Sequence, residues 1–269
     1  MKLSDFYALL NEVAPKKLSD EYCAQYHGYD NSGILVDCGE ELVGALFTLD
    51  LTNAAIEKAL AIGANLIVTH HPAIYGKIGN ICVDDSALLG GKLVKCLRNG
   101  ISVVSMHLNL DTADGGIDES LMDGVMLATG SENKKNVEIM KLLEYGGYGR
   151  AYDVESGTLG DLVDNMKNVF RTQRILVYGA ADKKISRVAS FCGAGGDEEG
   201  VAFAKKCGAD VMISSDFKHH VLTLAVESGL AVIALTHYAS ENYGFEKYCN
   251  KIRQQAKIPC AFHTDNALL

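Results

Sequence analysis

The chain has 269 residues, 48% of them hydrophobic, enough to bury a sizeable core as one large domain or two smaller ones. Its formal net charge of −9, with no Lys/Arg-rich run to form a stripe for phosphate backbones, argues against nucleic acid as a partner. No apolar stretch approaches the roughly 18 residues needed to span a bilayer, and the start, MKLSDFYALLNEVAPKK, lacks the basic-then-apolar order of a signal peptide. A soluble, cytoplasmic protein is expected, with no membrane partner. The eight cysteines include no C-x-x-C pair and are expected to be reduced, several of them as core thiols.

Taken in chain order, the elements alternate. Residues 3–14 read as an amphipathic helix with Ser4 as N-cap. After a turn at DNSG (30–33), ILVDCG and LVGALFTLD (42–50) read as strands, and NAAIEKALAIG (53–63) as a helix ended by Gly63. The strand NLIVTHH, a helix over 88–100 and the strand ISVVSMHL (101–108) follow. This order of strand, helix, strand, helix, strand is the signature of a mainly parallel α/β sheet. The polar SENKKN (131–136) marks a boundary between a first half, 1–130, and a second, 131–269, the two expected to be interlinked. In the second half a helix is expected near 158–170, strands at RILVYGA and SRVASFCGAGG, a helix at 198–208 and a strand at DVMISSD (210–216). The helix VLTLAVESG, the strand LAVIALTHY and a closing helix around 241–256 complete the chain.

The halves echo each other. KALAIGANLIVTHH (58–71) matches AKKCGADVMISSDF (204–217), and CLRNGISVVSMHLNLD (96–111) matches AVESGLAVIALTHYASE (225–241). In the second pair each strand ends in a histidine with a carboxylate four residues on: His107 with Asp111, His237 with Glu241. The expected fold is therefore α/β, two similar duplicated halves with mixed, largely parallel sheets whose strand ends face a central site. Ligands of open α/β sheets sit at the carboxyl ends of their strands.

Histidine, aspartate and glutamate at strand ends are donors for divalent metals. The pair His70 and His71 opens VTHHPAIYG's loop. Adjacent strand residues point to opposite faces, so both imidazoles can serve a metal site only if Pro72 ends the strand there and lets them splay toward two neighbouring ions. Two such ions need a bridging carboxylate, for which Asp111 and Glu241 are candidates. Against this stands the ordinary reading of His-Pro as a loop.

The stretches VTHHPAIYG, SMHLNLDTADGG, ISSDFKHH and THYASE, with YDNSGILVD and GGYGRAYDV, together resemble the NIF3-like dinuclear-metal-centre family, also called GTP cyclohydrolase I type 2 homologues, over nearly the whole chain. The resemblance implies a two-metal site held by His70, His71, Asp111, His237 and Glu241, with His107 beside it rather than in it. It implies two divalent ions per chain (zinc, iron or manganese) and a homohexamer built as a trimer of dimers. Two positions depart from the family pattern: Tyr29 stands where Trp usually precedes the Asp-Asn pair, and Ser215-Asp216 where Gly-Asp is common. Neither alters the inferred ligands.

Such a site suits metal-assisted hydrolysis of a nucleotide or related small molecule, a GTP cyclohydrolase-like activity by family label. His107 is then the candidate general acid or base, or else only orients Asp111. Lys218 and His220 are candidates for binding the anionic part of a substrate, in a helix start capped by Ser215 or Asp216. The alternative function is a non-catalytic metal protein, regulatory or metal-handling. CGAGGDEEG (192–200) lacks the Lys-Ser/Thr of a P-loop and reads as a tight strand-to-helix turn rather than a phosphate cradle.

Overall fold

Strands with no exposed residue mark the centre of the first sheet. In the computed structural model, which describes residues 1–83 and 88–269, every residue of β2 (Ala45–Thr48), β3 (Leu66–Thr69) and β4 (Ser102–Ser105) is buried. Continuous apolar runs of this kind suit strands covered on both faces. They form a five-stranded sheet in the order β1-β4-β3-β2-β11, with β1 (Gly33–Val36) antiparallel to β4 and the rest parallel, including β11 (Cys260–Phe262) beside β2.

Helices cover both faces of that sheet. Leu46, Ile67 and Val103 point into a cluster with Ile56 and Ala59 of α3 (Asn53–Ala61) and Leu93 and Cys96 of α4 (Leu89–Arg98). Phe47, the next residue of β2, points the other way, against Phe6 of α1 (Leu3–Val13) and Phe245 and Tyr248. Burial of Leu3, Phe6 and Leu10 gives α1 the one-sided spacing of an amphipathic helix. Its N-cap is Lys2, with no side-chain cap bond, so Ser4 does not cap it as expected: Ser4 already lies inside the helical turn. Gly63 does terminate the α3 pattern, adopting φ +69°, where a side chain is strained. The first unit, residues 1–113 and 245–264, also contains α2 (Lys16–Tyr26) and the short α5 (Leu108–Thr112).

The second unit comprises residues 114–244 and 265–269. The expected 130/131 boundary falls within it, just after α6 (Ile117–Thr129). Its six-stranded sheet runs β5-β6-β8-β9-β10-β7, from β5 (Lys135–Leu142), β6 (Gly147–Thr158), β7 (Leu176–Tyr178), β8 (Lys184–Ser190), β9 (Val211–Ser214) and β10 (Ala231–Ala234). Only β8-β9 and β9-β10 are parallel; the other three pairings are antiparallel. Both sheets are mixed, and the duplicated core is the parallel trio at each centre. On one face, Phe191, Met212 and Val232 pack with Val201 and Ala204 of α8 (Glu198–Lys206) and Val221 and Ala225 of α9 (His219–Glu227). On β6 lie α6 and α7 (Leu159–Val169).

The closing helix α10 (His237–Arg253) begins earlier than its expected start at 241 and passes from the second unit into the first at residues 244/245. All eight cysteines are free thiols, and burial pushes those of Cys96 and Cys249 up to about 12, which makes them poor nucleophiles. Among the described residues no helix is long and apolar enough to cross a membrane.

Candidate metal centre

Four histidines at strand ends share one hydrogen-bonding device. In the first unit, β3 ends at Thr69, and the backbone N–H groups of His70 and His71 both turn to the Leu49 carbonyl, at 3.1 and 2.9 Å. Ending the strand there, just before Pro72, brings both rings to one place, with centroids 4.8 Å apart. His107 follows β4, and its ring lies 5.2 Å from that of His70 and 5.8 Å from that of His71. One ligand atom from each of the three histidines lies within 4.8 Å of the others.

Each Nδ1 in this cluster is committed. That of His70 lies 2.8 Å from the Met106 carbonyl oxygen, that of His71 2.9 Å from Asp50 Oδ1, and that of His107 2.8 Å from Asp30 Oδ1. A carbonyl or an ionised carboxylate only accepts, so each Nδ1 carries a proton; in a neutral imidazole that makes Nε2 the lone-pair nitrogen. Histidines that bind metals are held in this way by a second group. Burial alone would raise the Asp30 carboxyl, but hydrogen bonds from His107, Ser19 and Ser32 outweigh it and hold the group below the usual carboxylate range. Asp111, buried in α5 with its N–H on the His107 carbonyl at 2.9 Å, turns Oδ1 to within 3.4 Å of His70 Nε2. Two donors on one tetrahedral ion with bonds of about 2.0–2.1 Å lie about 3.3 Å apart.

The second unit repeats the device. His237, first residue of α10, holds Nδ1 2.5 Å from Asp216 Oδ2, and its Nε2 lies 3.0 Å from Oε1 of the buried Glu241, one helical turn on. Asp216 follows β9 with φ +55°, a conformation that aspartate tolerates better than most residues. Gly193, at the end of β8, backs the pair: at φ +56°, a Cβ there would meet Glu241 Oε1 at 2.3 Å and His237 Nε2 at 3.3 Å. That loop is pinned by Gly193 N–H on Ser240 Oγ at 3.0 Å, by the Ser215 hydroxyl on the Gly193 carbonyl, and by Cys192 N–H on buried Asp118 at 3.1 Å. CGAGG is thus a close-approach turn behind the His237–Glu241 pair. A cavity of about 550 Å³ adjoins Asp216 and Thr236, walled by Tyr178, Phe217, Leu222 and Leu235.

Lys218 and His220 stand at the start of α9. Lys218 is its N-cap without a side-chain cap bond, so neither Ser215 nor Asp216 caps this helix: their side chains go to Gly193 and His237 instead. The exposed His220 pairs with Glu198 at 2.8 Å. Asp30, Asp50 and the role of Asp216 lie outside what the sequence motifs single out. Asp50 had a usable signal, an acid at the end of the strand LVGALFTLD, where ligand-shell residues are expected.

Two duplicated α/β units, each with histidine and carboxylate donors at the ends of its parallel strands, define a class of candidate metal-binding proteins. The chain belongs to the Duf34/NIF3 (NGG1p interacting factor 3) family, whose model matches residues 1–266. It is 33% identical over 245 residues to a "GTP cyclohydrolase 1 type 2 homolog" of Clostridium acetobutylicum, covering 90% of this chain and 85% of that relative. A Clostridium perfringens protein of the same description is 29% identical, with 95% and 92% covered. The fold matches that of a Bacillus cereus protein related to NIF3, with a TM-score of 0.80 at 18% identity over 98% of this chain and 97% of that one.

Proposed function

We propose that the protein is a metal-dependent hydrolase of a nucleotide or related small molecule, working through a dinuclear centre with His70, His71, Asp111, His237 and Glu241 as ligands. The observation that carries this reading is the facing of acceptors. With Nδ1 donating to Asp216, a neutral His237 turns its Nε2 lone pair toward the Glu241 carboxylate 3.0 Å away, an approach that a shared cation would make favourable. His70 Nε2 and Asp111 repeat it at 3.4 Å. Imidazole and carboxylate together suit zinc, iron or manganese. A pair of such ions would supply Lewis acidity and an activated water at neutral pH.

The chain's own residues divide the remaining work. His107, oriented by Asp30, is the proton carrier, with Nε2 as the exchanging atom. Lys218 and His220 meet the anionic part of the substrate. The curated relatives' description makes GTP the first substrate to try. In this reading the protein acts in the cytoplasm as a homohexamer, a trimer of dimers.

Elemental mass spectrometry on protein purified without a tag tests the centre. We expect about two ions per chain, with large losses in Asp111→Ala and Glu241→Ala. Unchanged metal content in both variants would refute the ligand assignment. His107→Ala should keep the metal and lose GTP turnover. If the parent holds both ions but turns over no nucleotide with any of the three metals, the non-catalytic reading takes its place.

A further inference from the structure

We propose that Tyr29 and Tyr75 form a stacking notch for a flat heteroaromatic ring, a nucleobase or a ring like it, on the molecule presented to the histidine cluster. The proposal rests on the reading of the site given above and adds the group that the site recognises. Both tyrosines are more than half exposed, at 56% and 58%. Single exposed aromatics are ordinary, but these two touch each other, with centroids 5.2 Å apart and planes at 76°. Tyr75 in turn stands edge-on to His107 at 6.4 Å and 82°. A row of rings therefore runs from the surface to the histidines within the first unit.

The backbone around the two rings is tied down while the rings themselves remain about half exposed. Asp30, next to Tyr29, is turned inward to His107, Ser19 and Ser32, and the Asn31 amide donates to the Ile74 carbonyl at 2.7 Å, joining the two loops. The pair holds itself in place, edge to face and with the Tyr75 hydroxyl donating to the Tyr29 carbonyl at 3.5 Å, so its exposed faces are set before any ligand arrives. Two faces at nearly right angles accept a flat ring stacked on one and edge-on to the other, both favoured arrangements. Such contacts tolerate different bases because every base has a π-face.

The sequence contains no tryptophan, so Tyr29→Trp introduces a single fluorescent reporter in the notch. That variant is titrated with guanosine 5′-monophosphate and with ribose 5-phosphate, which shares the phosphate but lacks the base, on metal-loaded and on chelator-stripped protein. We expect quenching by the nucleotide only, and an added Tyr75→Ala change should weaken nucleotide binding at least about fivefold with metal content unchanged. Absence of quenching in both metal states overturns the notch, as does nucleotide binding unmoved by Tyr75→Ala. A change in molar mass by light scattering in Tyr29→Ala and Tyr75→Ala, with nucleotide binding intact, would reassign the pair to a contact between copies. Protein that quenches yet holds no metal keeps the notch and loses the hydrolase reading. Protein that holds metal without quenching loses the notch alone.

Discussion

The first unit sets two imidazoles at the end of β3, where the second sets Ser215 and Asp216 at the end of β9. After the next strand the units agree again: His107 and His237 each lean on an aspartate, Asp30 and Asp216, and each has a carboxylate four residues later. The use of that carboxylate differs. Glu241 meets its own helix's His237 at 3.0 Å, whereas Asp111 meets His70, from a neighbouring strand, at 3.4 Å. Duplication has kept the place of a donor and let its chemistry diverge. One copy is rich in imidazoles, and the other supplies one histidine and one longer acid backed by a glycine.

The sharpest way to break that comparison is Gly193→Ala. The new methyl would strike Glu241 Oε1 from 2.3 Å in a backbone conformation that alanine disfavours. We expect a loss of metal comparable to that of Glu241→Ala, read by elemental analysis, with far-UV circular dichroism unchanged. Full metal retention would show that Glu241 is not needed where the structure holds it. Next in size are Asp50→Ala and Asp216→Ala, which free the Nδ1 of His71 and of His237 while leaving every proposed ligand in place. Each should weaken metal binding about 10- to 100-fold, measured by competition with a chelating dye. Wild-type affinity in either variant would mean that the ring is oriented by packing alone.

The parallel trios, the internal duplication and the donor types were legible in the sequence because they depend on local periodicity and spacing. The helix over Asn53–Ala61 and the strands on either side follow from apolar runs bounded by Thr52 and Gly63. Other features were not legible. The helix α2, KKLSDEYCAQY, buries only Leu18 and Ser19, so no apolar stripe announces it. Strand β11 is three residues long and gains its place by pairing with β2, distant in sequence. Within the site, the gathering of His70 with Met106 and of His107 with Asp30 spans 36 and 77 residues of chain, which no spacing rule encodes. The capping roles given to Ser4, Ser215 and Asp216 failed on two counts: Ser4 lies inside the first turn, and the side chains of Ser215 and Asp216 are taken by Gly193 and His237.

Asp30 offers a smaller, pH-dependent test. Its folded carboxyl is held below its ordinary value by three side-chain hydrogen bonds that outweigh burial, so it stabilises the native state above about pH 4 and ceases to do so as pH falls from there toward the folded value. Asp30→Asn should cost about 2 kcal/mol at neutral pH, and the gap to the parent in urea midpoints should narrow as the solution is acidified below pH 4. A gap that stays constant with pH would mean that shape, not charge, is what His107, Ser19 and Ser32 recognise.

The smallest expected effect compares equivalent helix starts. The helices preceding β3 and β9 begin alike, with Thr52 Oγ1 accepting from Ala55 N–H at 3.0 Å in α3 and Asp197 Oδ1 from Gly200 N–H at 2.7 Å in α8. Alanine at either position should cost about 1 kcal/mol, or about 2–4 °C in Tm for a chain of this size. The two substitutions share no partner, so the double variant should lose the sum. Asp197 adds a negative charge at the positive end of its helix, which Thr52 does not. Asp197→Ala should therefore cost a few tenths of a kcal/mol more than Thr52→Ala at low salt, and that excess should fade as ionic strength rises. If instead the Thr52 variant is the worse at every salt concentration, the cap contributes through packing around the hydroxyl and its methyl, and the likeness of the two helix starts ends at their hydrogen bonds.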